Sequence, residues 1–315
     1  MQKPVIALAM GDPAGISPEL TAKVVGLPEV RDAARVVVIG DRRVFEEGVS
    51  IAGVKVPDLE FHDLKLDLSQ IRRSEPSKAG GESALANYRH ALRMVADGKT
   101  QAVCFTPFNK QSMKLADKSY DDEIRFTAGV LGFKGVATEF NVLEKLWNAR
   151  VTSHIPLNKV SSSLSIDNIV EALDLTTHAL RAAGFNPPRI GVAALNPHAG
   201  DGGNFGREEI DIIEPAVKKA KAKGLPAEGP YPADTVFVRA KGGQFDAVLT
   251  MYHDQGQIAM KLMGFDRGVT VLGGFPFPIC TPAHGTAYDI AGKGVANIGA
   301  TRAALLLAAE MAARG

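Results

Sequence analysis

The chain has 315 residues, 45% of them apolar and 23% charged, with a formal net charge of +1. That length predicts two lobes of ordinary size, and the near-neutral balance provides no global field for nucleic acid or an acidic membrane. Cys104 and Cys280 are the only cysteines and form no CxxC pair. This argues against a disulfide framework or a thiolate zinc site; with no signal-peptide layout and no membrane-length apolar run, the cytoplasm is the expected location.

Residues 5–10 form a compact apolar run ending at Gly11, a predicted buried strand. Residues 11–15 make a turn, and Pro18 suits an early helical position. Residues 35–39 are a second strand. Residues 82–96 carry Leu85, Tyr88, Leu92 and Val95 on one helical face. Residues 102–105 are another short strand. Ser165 is positioned to cap a helix reaching about residue 183, ended by Gly184 and Pro187. Residues 190–195 are a strand, followed by a glycine-rich loop and a helix over 207–223. The lysines of residues 218–223 fit a solvated helix face better than a nucleic-acid stripe. Residues 226–232 are rich in proline and glycine but too short for a linker. Residues 246–251 are a strand, and 301–313 the terminal helix. Strands that are continuous apolar runs, alternating with helices, predict an α/β fold with largely parallel sheets.

Three of seven histidines share a setting. His154, His198 and His253 each follow a predicted strand, where ligands of parallel sheets collect. Three imidazoles with open positions beside them would suit a borderline catalytic cation such as Zn, Co, Ni or Fe, with Mg or Mn the other divalent metals expected. Asp254 could support His253 or transfer protons. Spacing alone favours unrelated loop histidines over a shared metal site. His62, His90 and His178 read as surface residues, and His284 precedes a predicted helix start at Gly285. The loop 196–206, with Gly200, Gly202, Gly203 and Gly206 ahead of a helix, offers amide groups to an anion such as a pyrophosphate. Loop 11–19 is neither GxGxxG nor a P-loop.

Taken together, these stretches resemble one family. GDPAGISPEL from Gly11, TSHIP from Thr152, NPHAGDGGNFGREE from Asn196, GPYPADT from Gly229, YHDQG from Tyr252 and HGTAYDIAGKG from His284 are similar, in order, to the motifs of 4-hydroxythreonine-4-phosphate dehydrogenases. The opening loop is also similar to GDGIGPE of isocitrate and isopropylmalate dehydrogenases, which share that fold. The resemblance implies a two-lobed homodimer with the active site in the interlobe cleft and both subunits contributing. The lobes expected are 1–130 with 268–315, and 131–267. It implies metal ligands His154, His198 and His253, and NAD near Asn196, Gly200, Gly202, Gly203, His284 and Gly285. The reaction it implies is oxidation of a β-hydroxy acid with decarboxylation, in pyridoxal phosphate biosynthesis. Lys110, Asp234 and Asp254 are its candidates for proton transfer.

The substrate positions depart from the family. Its phosphate-binding Lys matches Lys261, but its Asn and Arg fall on Thr270 and Ile279. Its His-Thr pair lies near Asp121–Ile124, which bring Asp122 and Glu123 instead; Arg125 or Arg267 is available to compensate. Isoleucine cannot replace a guanidinium on a phosphate. An unphosphorylated acid, such as a cis-dihydrodiol carboxylate, is therefore an alternative substrate, and a metal-dependent hydrolase an alternative of another class.

Overall fold

The computed structural model describes residues 3–314, apart from the side chain of Phe265. In chain order the first stretch holds β1 (Val5–Ala9), α1 (Ser17–Val25), α2 (Pro28–Ala33), β2 (Arg35–Gly40), α3 (Arg42–Ala52), β3 (Glu60–Asp63), α4 (Lys78–Ala96), β4 (Ala102–Phe105), α5 (Lys110–Ala116) and α6 (Glu123–Leu131). Next come β5 (Thr138–Leu143), β6 (Leu146–Arg150), α7 (Val160–Ser163), α8 (Ile166–Ala182), β7 (Ile190–Ala193), α9 (Glu214–Ala222), β8 (Ala227–Tyr231), α10 (Ala233–Lys241), β9 (Ala247–Thr250) and α11 (His253–Gly264). The chain ends with β10 (Val269–Gly273), β11 (Ile279–Pro282) and α12 (Gly299–Ala312). Two compact units result: Met1–Thr138 with Asp266–Gly315, and Glu139–Phe265.

In the first unit the strand order is β3-β2-β1-β4-β11-β10. All pairings there are parallel except β10 with β11. β1 and β4 are buried almost end to end, as strands covered on both faces must be. On α4, Leu85, Tyr88, Leu92 and Val95 face the core, joined by Ala84 and Ala91. Tyr88 is wholly buried, and its hydroxyl is satisfied by Thr127 Oγ1 at 2.6 Å. Cys104 and Cys280 are register partners on β4 and β11, buried and unpaired, and burial pushes both thiols up.

In the second unit the order is β5-β6-β9-β7-β8, parallel except for the β5–β6 hairpin. Ser165 caps α8 in a reciprocal box with Asn168. The proline- and glycine-rich stretch 226–232 turns out to contain edge strand β8, with a cis Gly229–Pro230 bond. An edge tolerates proline because one row of its amides needs no partner. Two further expectations are corrected. His284 begins no helix: only a short turn, Tyr288–Ile290, follows. His62 and His90 are not independent surface residues but share a 2.8 Å hydrogen bond, and burial lowers the His90 pKa. Among the described residues no helix is long and apolar enough to cross a membrane.

Candidate active site

In the second unit, β6, β9 and β7 are adjacent and parallel, so the loops leaving their carboxyl ends share one edge. His154 lies beyond β6, His253 opens α11 after β9, and His198 lies beyond β7. Short bonds tie these loops together. Thr152 donates from its amide and its hydroxyl to the Met251 carbonyl, at 3.2 and 2.7 Å. Gln255 accepts from the Met251 amide and donates to the Ala194 carbonyl, both at 2.7 Å. Buried Arg150 donates to Ser153 Oγ at 3.0 Å, Asn141 Oδ1 at 2.6 Å and Glu139 Oε2 at 2.5 Å, which anchors the strand end just before His154.

The rings of His154 and His253 approach to 5.4 Å between centroids. Nδ1 of His253 is 2.7 Å from Asp254 Oδ1. A carboxylate there favours the tautomer with the proton on Nδ1, which leaves the Nε2 lone pair free for a ligand. The His198 ring instead neighbours Phe205, at 6.2 Å. Among the described residues, no group of three His, Cys, Asp or Glu side chains within the single chain is arranged to hold a metal ion. Within the single chain, His154 and His253 are thus ring neighbours, while His198 contacts Phe205.

The loop after β7 has an unusual backbone. His198, Ala199, Gly200, Asp201, Gly202 and Gly203 all have positive φ, from 45° to 100°, a left-handed turn. Such a conformation costs non-glycine residues about 1–2 kcal/mol each and persists only when the surroundings impose it. Glu209, 1% exposed, holds the residues that lead into the turn. Its Oε1 accepts from the amides of Leu195 and Asn196, both at 2.8 Å, and its Oε2 from Asn196 Nδ2 at 2.9 Å. Glu208 adds a second acceptor for Asn196 Nδ2 at 2.7 Å; hydrogen bonds from Ser161 and Asn196 hold its carboxyl below the usual range. The helix expected over 207–223 begins as a π-helical turn, Glu209–Ile213, before α9. Gly202 is exposed, and the space for a side chain there is open.

The remaining site candidates are mostly engaged elsewhere. In the first unit, Asp122 caps α6 by accepting from the Arg125 amide at 2.7 Å, and the Arg125 guanidinium is ion-paired with Asp121. Lys110 lies 3.7 Å from Glu123. Ile279 is wholly buried in the core and cannot line a substrate pocket, which corrects its assignment. Thr270 is half-buried opposite Thr281. His284 Nδ1 meets the Gly285 carbonyl at 3.0 Å, while its Nε2 is buried without a protein partner. In the second unit Asp234 and Lys261 are exposed. Sequence reasoning passed over Arg150, Gln255 and Glu209. Gln255 stands inside the YHDQG motif and was within reach; Glu209 reads as an ordinary acidic residue of a first helical turn.

A family model described as pyridoxal phosphate biosynthetic protein PdxA matches residues 32–308. The chain belongs to the PdxA family. A Rhizobium meliloti relative, provisionally named 4-hydroxythreonine-4-phosphate dehydrogenase 2, is 61% identical over 99% of this chain and 94% of its own length. A Geobacter metallireducens 4-hydroxythreonine-4-phosphate dehydrogenase is 36% identical over 98% of this chain and 96% of its own. The crystal structure of a Klebsiella pneumoniae 4-hydroxythreonine-4-phosphate dehydrogenase superposes with a TM-score of 0.86 at 34% identity, covering 98% of each chain. A terephthalate 1,2-cis-dihydrodiol dehydrogenase from Burkholderia xenovorans LB400 gives 0.68 at 27% identity, again over 98% of each. PdxA proteins are thus a dehydrogenase family acting on small molecules, and the α/β architecture with largely parallel sheets is theirs.

Proposed function

We propose that this PdxA protein oxidises a small β-hydroxy acid, with NAD as hydride acceptor, a divalent cation at the histidines, and decarboxylation of the product. The observation that carries this reading is the adjacency of His154 and His253, with Asp254 on the far nitrogen of one ring. Borderline imidazole donors suit Zn, Co or Ni better than a hard oxygen-seeking ion. We assign the third ligand, His198, to a site completed by a second copy of the chain. When bound, the cation lowers the pKa of the substrate hydroxyl and NAD takes the hydride. The turn 198–203 suits a pyrophosphate, since exposed Gly202 and half-buried Gly203 let an anion approach the backbone. For the hydroxyl proton, Lys110 and Asp234 are the acceptors we favour. Asp254 is better suited to fixing the His253 ring. The two buried, unpaired thiols suit the reducing cytoplasm.

The substrate we favour is unphosphorylated. No guanidinium can come from position 279, Arg125 is held by Asp121, and Lys261 is left to meet a carboxylate. Losing two charge-assisted bonds to a phosphate costs roughly 3–6 kcal/mol, or about two to four decades in affinity. Steady-state NAD reduction, screened across phosphorylated and unphosphorylated β-hydroxy acids with added divalent metal, tests the proposal. An unphosphorylated acid should be turned over best. A kcat/KM of about 10⁴ M⁻¹s⁻¹ or more for 4-hydroxythreonine 4-phosphate, the ordinary enzyme range, would instead restore the phosphate ester as substrate. Activity without NAD, releasing a hydrolysis product, would overturn the dehydrogenase reading altogether.

A homodimer accounts for the apolar surface of the second unit. Ile258 and Leu262 lie one turn apart on α11 and are 61% and 83% exposed, with Ile155 and Leu157 exposed beyond β6. Sedimentation should find a dimer for the natural protein and a monomer for Leu262→Asp. The monomer should have lost turnover while keeping its melting temperature within a few degrees. A fully active Leu262→Asp monomer would mean that each chain is self-sufficient.

A further inference from the structure

The two glycine-rich motifs of the first unit, 11–20 and 284–294, lie far apart in sequence but are fastened to each other. Asp12 is wholly buried. Its Oδ2 accepts from the Tyr288 hydroxyl at 2.6 Å and its Oδ1 from the Ala14 amide at 2.8 Å. The Ile16 amide donates to the Thr286 carbonyl at 3.1 Å. A side chain at Gly15 would fall 2.7 Å from that same carbonyl, so the two backbones touch. Ser74 spans both loops: its amide donates to the Ala14 carbonyl at 2.8 Å and its hydroxyl to the Tyr288 carbonyl at 2.6 Å.

One turn along α1 a second clamp follows. Glu19, 1% exposed, accepts from the Gly294 amide at 3.1 Å and the Ala296 amide at 2.7 Å. Lys23 lies 3.6 Å from Glu19 and donates back to the carbonyls of Gly294 and Ala296, at 2.8 and 3.1 Å. Ile16 and Leu20 pack between the clamps against Ala291 and Ala296. The segment held in this way has almost no regular structure of its own. It holds only short turns, over 287–293, and they begin at Ala287, a non-glycine residue at φ 42°. Such a segment cannot keep one conformation by internal hydrogen bonds, so its shape is imposed from outside.

We propose that Asp12 and Glu19 are positioning residues that hold residues 284–296 in the shape that receives the dinucleotide. This rests on the reading of His284 and Gly285 as cofactor-binding. The motif 11–20 then governs cofactor affinity without touching the cofactor, and Tyr288 transmits the effect.

Three variants test it: Tyr288→Phe, which removes only the hydroxyl, Glu19→Gln, and Asp12→Asn, which can still hydrogen-bond to Tyr288. Hydrogen exchange read by mass spectrometry needs no cofactor. Amides of 285–296 should exchange about tenfold faster in Tyr288→Phe and Glu19→Gln, the size expected for one hydrogen bond to a charged group, with β1, β4 and α4 unchanged. NAD affinity by calorimetry should fall by a similar factor, while kcat at saturating NAD and KM for the hydroxy acid stay within about twofold. Asp12→Asn should recover part of the loss. Faster exchange with unchanged NAD affinity, or equal losses in kcat and every KM, overturns the positioning role. Natural protein that takes up no NAD in the calorimeter overturns the cofactor reading itself, and the inference with it.

Discussion

Replacing His253 with alanine is expected to lower kcat/KM by about three decades or more while leaving the fold intact. A catalytic cation contributes several kcal/mol of charge stabilisation, and each 1.36 kcal/mol is a factor of ten. The stability change should be small. The His253 side chain is 34% exposed, and such substitutions usually stay within about 0.5 kcal/mol. Asp254→Asn should lie between, at about a 10–100-fold loss of activity or metal affinity, the range for a group that orients a ligand. Kinetics paired with metal analysis and thermal melting measure all three quantities. Retained metal and activity within tenfold of the natural protein would remove His253 from the site.

The second large effect is expected at Glu209, which no ligand need touch. Glu209→Ala leaves the part-buried amides of Leu195 and Asn196 without their acceptor, at roughly 1–3 kcal/mol each. Opposing the native turn are three non-glycine residues in left-handed conformation, His198, Ala199 and Asp201, at about 1–2 kcal/mol each. The sums are similar, roughly 2–6 and 3–6 kcal/mol. Without the carboxylate, therefore, the turn should relax. NAD affinity should drop by about two decades or more, and limited proteolysis should cut newly within 198–206. Glu209→Gln keeps one oxygen for both amides and should fall between. A Glu209→Ala protein that resists protease there and binds NAD normally would show that the turn is self-supporting.

Much of the architecture was legible because it depends on burial pattern. The apolar runs at 5–10, 35–39, 102–105 and 190–195 became β1, β2, β4 and β7, since strands covered on both faces must be continuously apolar. Ser165 announced α8 through its own capping chemistry. Strand β8 was hidden because Gly229 and Pro230 look like a turn, and only its edge position makes them admissible. In the site, the strand-end setting of the three histidines was visible, as was the glycine density of 196–206. The turn's handedness was not. The carboxylate that holds the entry to the turn, Glu209, lies 13 and 14 residues beyond the amides it holds, and a sequence gives no sign that a carboxylate is buried. Ile279 failed for a related reason: a residue's position in a motif does not reveal which face of β11 it occupies, and this one faces the core.

The interleaving of the two units also bears on synthesis. β11 pairs with β4, and α12 packs on both, yet Ile279 and its partner Val103 are 176 residues apart in the chain (279 − 103), a stretch that includes all of Glu139–Phe265. Domains generally fold as units while the chain emerges. Here the inserted unit is complete when residue 265 is translated, whereas the enclosing one still lacks β10, β11 and α12. The half begun first is thus the last that can close, and β4 waits with one hydrogen-bonding edge bare. A nascent chain stalled before β11 would carry a folded second unit beside an open sheet edge, the kind of surface that chaperones and mispairing strands compete for.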